Sequence, residues 1–109
     1  MQTDCLFCKL SRDGGTVIWH NDDFAAIKDI NPKAPLHLLI MPKQHVENFD
    51  QLEVGMAPGL VAAIREVARQ EGVSGAYNMK INVGRAAGQE IDHLHVHLLA
   101  NKEGLSVKP

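Results

Sequence analysis

The stretch His93-Leu94-His95-Val96-His97-Leu98-Leu99 decides how this chain reads. In a β-strand successive side chains point to opposite faces. His93, His95 and His97 then share one face, and Leu94, Val96 and Leu98 share the other. The apolar side can anchor the strand in a core while the polar side projects a row of imidazoles. Three readings compete for that row. A plain polar face is the weakest, because three of the chain's six histidines crowd into this one segment. A metal site is the second, since two histidines two apart on a strand can chelate one ion. The first and third, however, lie about 13 Å apart at strand rise, too far for one metal to take all three. Catalysis is the third: a neutral imidazole is a good nucleophile near pH 7, and its neighbours can orient it and bind anions.

Working outward, residues 36–41 read as a largely buried strand closed by Pro42, entered from the loop Asn31-Pro32-Lys33-Ala34-Pro35. Residues 17–20 and 24–28 are apolar-rich runs around the turn signal Asn21-Asp22-Asp23, which predicts a hairpin. Val54, Leu60, Val61, Ile64 and Val67 fall near helical spacing and predict a helix from about Met56 to Gln70. Pro58 is tolerated in its first turn and Gly72 is a stop. Residues 6–12 allow one or two helical turns ended by Gly14-Gly15. Residues 76–83 read as a further strand, 84–88 as a small-residue loop and 93–99 as the last strand. A run of strands, one helix and two more strands is an α+β order with a mainly antiparallel sheet, not a doubly wound one.

At 109 residues the chain is sized for a single domain spanning 1–109. Its 45% apolar and 22% charged composition is that of a globular protein. A net charge of −2 excludes wrapping a nucleic acid polymer through a basic surface, yet permits a nucleotide monomer in a pocket. No apolar run approaches membrane-spanning length, and Met1-Gln2-Thr3-Asp4 does not open a signal peptide, so no membrane association and a cytoplasmic location are expected. Cys5 and Cys8 form a C-x-x-C pair, which in a reducing compartment suggests a metal pair or a redox pair. No thioredoxin-like βαβ pattern follows it, which weakens the redox reading.

The pattern His-φ-His-φ-His-φ-φ, with φ apolar, resembles the signature of the histidine triad (HIT) family. Asp29-Ile30-Asn31-Pro32, Pro35-Leu36-His37 leading to Pro42-Lys43-Gln44-His45, and Asn82-Val83-Gly84 with Gly88-Gln89-Glu90 resemble family blocks in the family's order. The resemblance implies the HIT-like α+β fold, with one long helix and a short N-terminal helix. It implies attack by His95 on the α-phosphorus of a nucleotide, giving a covalent nucleotidyl-histidine that water resolves to the nucleoside monophosphate. His97 and His37 complete the catalytic set. Asn82 and Gln89 would hold phosphate oxygens or the leaving group, and Asp29 the ribose hydroxyls. Leu6, Phe7, Leu10, Ile27 and Ile30 would form the slot for a purine base. Glu90 would point away, handle a cationic leaving group or sit protonated.

The chain is most similar to the nucleoside phosphoramidase (HINT, protein kinase C inhibitor-like) branch. That resemblance implies hydrolysis of nucleoside 5′-phosphoramidates or related conjugates. Hydrolysis of dinucleoside polyphosphates, or nucleotide binding with vestigial activity, are the alternatives. The Cys pair matches a metal-carrying branch, implying a structural zinc on Cys5, Cys8, His45 and His93, with no organic cofactor. A twofold homodimer through the long helix and a sheet edge is likewise implied. The tail from Ala100 to Pro109 lacks the Gly-Gly and aromatic segment of many phosphoramidases, which bears on the leaving group.

Overall fold

In the computed structural model, the structure describes residues 5–13 and 15–101. Gly14 of the expected helix stop, the first four residues and the divergent tail beyond Asn101 lie outside the described residues. Helix α1 (Leu6–Leu10) is followed by β1 (Val17–His20), β2 (Phe24–Lys28) and β3 (Leu36–Pro42). Helix α2 (Ala57–Gln70), β4 (Asn78–Lys80) and β5 (Val96–Ala100) complete the order. The strands form one sheet in the order β1-β2-β3-β5-β4, with every neighbouring pair antiparallel.

Local chemistry explains the elements. Asn21 turns the first hairpin by accepting the Asp23 and Phe24 backbone N–H groups on its side-chain oxygen. Pro58 lies in the first turn of α2, where its missing N–H costs no helical bond. Gly72, at φ +76°, ends that helix in the left-handed conformation.

β3 is buried on both sides, and its alternation separates two cores. Leu36, Leu38 and Ile40 join Phe24, Ala26, Val96 and Leu98 under the α2 residues Leu60, Ala63, Ile64 and Val67. Leu39 and Met41 point the other way and join Ile27 and the α1 residue Phe7. The long helix therefore covers one face of the sheet. The short helix covers part of the face that carries the imidazoles.

Two strands are shorter than their patterns predict. β5 begins at Val96, so His93 and His95 precede it and only His97 is a strand residue. The ladder with β3 stops after the pair Ile40–Val96. Beyond it, Pro42 has no N–H to donate, its carbonyl accepts from the His93 ring, and the Leu94 N–H turns to the Val46 carbonyl. β4 covers Asn78–Lys80 rather than residues 76–83. It pairs only with the His97–Leu99 portion of β5, because the partner chain bends away before it.

Candidate active site

Register places the site's side chains. Ile27, Leu39, His97 and Lys80 lie opposite one another across β2, β3, β5 and β4 and form one row on the α1 face. Side chains directly opposite in antiparallel strands share a face. His37, two residues before Leu39, occupies the same face one row away. His93 and His95 continue the series outside the ladder, both buried and each in a T-shaped contact with the Phe7 ring. The common face inferred from alternation thus persists where the strand itself does not.

The hydrogen bonds assign the proton on each imidazole. The Lys33 backbone N–H donates to His37 Nδ1 at 3.0 Å. Nδ1 is therefore an acceptor, and the neutral ring carries its proton on Nε2. That Nε2 lies 2.9 Å from His97 Nδ1 and 3.4 Å from an Asp29 carboxylate oxygen. His97 Nδ1 accepts, so the His97 proton sits on Nε2. His95 Nδ1 lies 2.8 Å from the His93 carbonyl, which can only accept. Its proton is thus on Nδ1, and the Nε2 lone pair is engaged by no protein hydrogen bond among the described residues. The resemblance gave the three imidazoles of the motif different roles; the hydrogen bonds add that His95 carries its proton on Nδ1 and His97 on Nε2.

Burial keeps the His97 and His37 rings uncharged. It pushes His97 down to about 4, with His95 and His37 adding repulsion, Asp29 opposing and Lys80 adding further repulsion. His37 is also lowered, chiefly by burial, with Asp29 opposing and Lys33 and Lys80 adding to the fall. At neutral pH His97 is a neutral donor through Nε2–H.

Two clusters have the composition of metal sites. Cys5, Cys8, His45 and His93 bring four donor atoms within 4.8 Å of one another, and Asp29, His37 and His97 bring three. Proton placement separates them. His93 Nε2 donates to the Pro42 carbonyl at 2.8 Å, which leaves the Nδ1 lone pair facing the thiols. Cys5 Sγ is 3.2 Å and Cys8 Sγ 3.5 Å from that atom, and Cys8 Sγ is 3.4 Å from His45 Nδ1. Tetrahedral zinc with ordinary Zn–S and Zn–N lengths sets sulfur and nitrogen about 3.5 Å apart. The Cys8 thiol is raised to about 11, first by burial and then by its hydrogen bond and charge repulsion with Cys5, with Arg12 opposing. A divalent cation would supply the missing positive charge. The four residues could therefore hold a metal such as zinc. In the other cluster His37 Nδ1 already accepts a backbone N–H. Coordination through Nε2 would turn that contact into N–H against N–H, so this set is built for hydrogen bonding instead.

The remaining expected residues divide. Asp29 accepts the Asn31 N–H on one carboxylate oxygen and faces His37 with the other. Asn82 donates to the Gly88 carbonyl at 3.4 Å. Gln89 is buried and fully committed: its oxygen accepts the Gly84 N–H, and its amide donates to the Glu47 and Ile91 carbonyls. As placed, it cannot also hold a phosphate oxygen, as the sequence reading expected; it staples the 84–88 loop to the segment after His45. Of the expected base slot, Phe7 and Ile27 are buried together and Leu10 packs on them. Leu6 is half exposed, and Ile30, at 92% exposure, stands clear of the slot on a loop. Glu90 is exposed. A cavity of about 630 Å³ lies beside the cysteines, lined by Cys8, Arg12, Asp22, Lys43 and His45 among others, and His37, His95 and His97 do not line it.

Sequence reasoning missed Lys33 and Lys80. Lys80 stands opposite His97 only because of strand pairing, which alternation within one strand does not specify. The Lys33 N–H reaches His37 because the proline-flanked loop folds back.

The fold is the α+β HIT-like fold. The HIT domain matches residues 13–104. Protein HitA of Neisseria gonorrhoeae is 33% identical over 101 residues, 88% of this chain and 94% of that one. A HIT family hydrolase from Clostridium thermocellum is 36% identical with a TM-score of 0.84, covering 100% of this chain and 97% of that chain. A histidine triad nucleotide-binding protein from Candida albicans is 25% identical with a TM-score of 0.79, covering 96% and 82%. This chain belongs to the HIT, or histidine triad, family.

Proposed function

We propose that this protein hydrolyses nucleoside 5′-phosphoramidates or related nucleotide conjugates through a nucleotidyl intermediate on His95. The observation that carries the reading is the His95 Nε2 lone pair, engaged by no protein hydrogen bond among the described residues, on a ring whose Nδ1–H donates to the His93 carbonyl. The hydrolase character of the Clostridium thermocellum relative and the nucleotide binding named for the Candida albicans relative support it.

In the first step the His95 Nε2 lone pair forms a bond to the α-phosphorus. The bond from phosphorus to the leaving group breaks, and its electron pair leaves with the amine, which takes a proton from solvent. The ring becomes cationic, and its Nδ1–H bond to the His93 carbonyl strengthens. His97 Nε2–H donates to a phosphoryl oxygen as charge builds there, with His37 fixing the required tautomer. In the second step water attacks phosphorus, the P–N bond to His95 breaks, and the nucleoside monophosphate departs. Asp29 receives the ribose hydroxyls, Asn82 contacts the phosphate or leaving group, and the base, a purine, lies near Leu10 and Ile27. Gln89 acts by holding the adjacent loop.

Lys80 opposite His97 favours a second substrate class, dinucleoside polyphosphates, whose leaving group is anionic. Turnover of an adenosine phosphoramidate beside a diadenosine polyphosphate separates the two. A structural zinc on Cys5, Cys8, His45 and His93 would tie α1 to the segment that carries His95. Exposed Met79 on edge strand β4 and exposed Val61 on α2 support a twofold dimer through those elements. The test is His95→Asn, which is expected to abolish turnover of both substrates and to retain nucleotide binding. Retained turnover would refute the reading.

A further inference from the structure

We propose that Phe7 is a positioning residue for the nucleophile, clamping the His95 ring from helix α1. The inference rests on His95 being the attacking group. Phe7 is 4% exposed, and its ring meets His95 edge-on at 4.9 Å and 79° and His93 at 6.1 Å and 78°. These T-shaped contacts favour one ring orientation over its neighbours. The imidazole is also held by the bond from Nδ1 to the His93 carbonyl. One bond alone leaves the ring free to pivot about it. The Phe7 contact removes that freedom and fixes the direction in which Nε2 points.

Phe7 can do this only if α1 stays in place. Five residues are too few for a helix that is stable alone. The helix is pinned at both ends of its first turn, where Cys5 and Cys8 meet His93, and Cys5 Sγ accepts the Cys8 backbone N–H. The cysteine–histidine cluster and the nucleophile are thus joined by one buried aromatic ring as well as by the chain.

The test uses the full-length protein as purified and compares Phe7→Leu, with Phe7→Met as a second ring-less variant of similar bulk, against the parent. The saturating rate of nucleotidyl-enzyme formation is expected to fall about tenfold while KM changes less than about twofold. The His95 ring-proton resonances of the substrate-free protein are expected to shift, because the neighbouring ring current is gone. Val67→Ala, in the core beneath α2, serves as a remote destabilised control and is expected to leave the saturating rate and the His95 resonances unchanged. A raised KM with an unchanged saturating rate would give Phe7 a role in binding alone and overturn the proposal. Unmoved His95 resonances, or an equal slowing by Val67→Ala, would overturn it too. Absence of any nucleotidyl-histidine in the parent would instead defeat the functional reading, while the resonances still report whether Phe7 holds the ring.

Discussion

Acid should destabilise this protein through a site histidine, and His97→Asn should remove much of that sensitivity. In the folded protein His97 is pushed down to about 4, first by burial and then by the neighbouring imidazoles His95 and His37. In the unfolded chain it titrates near 6.5. Between those values the unfolded state binds the proton and the folded state does not, so stability falls as pH falls. The loss begins below about pH 6.5 and is complete below about pH 4. Fully developed, it amounts to about 3 kcal/mol, and at pH 5 to about 2 kcal/mol relative to pH 7.5. That is a large share of the roughly 5–15 kcal/mol that holds a small domain folded. Urea unfolding of the parent and His97→Asn at pH 7.5 and pH 5 measures it. The variant carries no titrating group at this position, so its stability difference between the two pH values should be smaller by about 2 kcal/mol. Acid-sensitive groups not in contact with His97 (His93 and any metal ligands included) act equally in both proteins. An equal loss in parent and variant would refute the reasoning.

Gln89→Ala should cost about 1–3 kcal/mol in unfolding free energy, because it removes three part-buried hydrogen bonds to the backbone of Gly84, Glu47 and Ile91; a loss below about 0.5 kcal/mol would show the staple to be dispensable. Protein purified without chelator or acid should carry near-stoichiometric zinc by elemental analysis, and Cys8→Ser should lose it together with thermal stability; equal zinc content in both would contradict the assignment of the ligands.

Much of the fold was legible because its elements carry local signals. β3 alternates apolar residues toward α2 with His37, Leu39 and Met41 toward α1, and the α2 residues Leu60, Ile64 and Val67 repeat at helical spacing. The Asn21 turn is written in three consecutive residues. The ends of β4 and β5 were not legible, because they depend on contacts distant in sequence. The Pro42 carbonyl is taken by a side chain, and Leu94 turns to Val46. That His93, His95 and His97 share a face could be read from alternation, but not the protonation site of each ring. Which nitrogen of each imidazole holds the proton is set by a Lys33 N–H, a His93 carbonyl and a Pro42 carbonyl. Backbone groups of that kind leave no mark on residue type. Gln89 shows the same limit: an amide beside a glycine-rich loop suits a phosphate ligand or a loop staple equally well, and only its three partners distinguish them.

The central claim is that His95 forms a covalent bond to phosphorus. Quenching the protein during turnover of an adenosine phosphoramidate and mapping the modified peptide by mass spectrometry tests it most directly. The account predicts one adenylyl group on His95, absent from His95→Asn. An adduct on His97, His37 or any other residue, or turnover with no adduct at any time point, would contradict it.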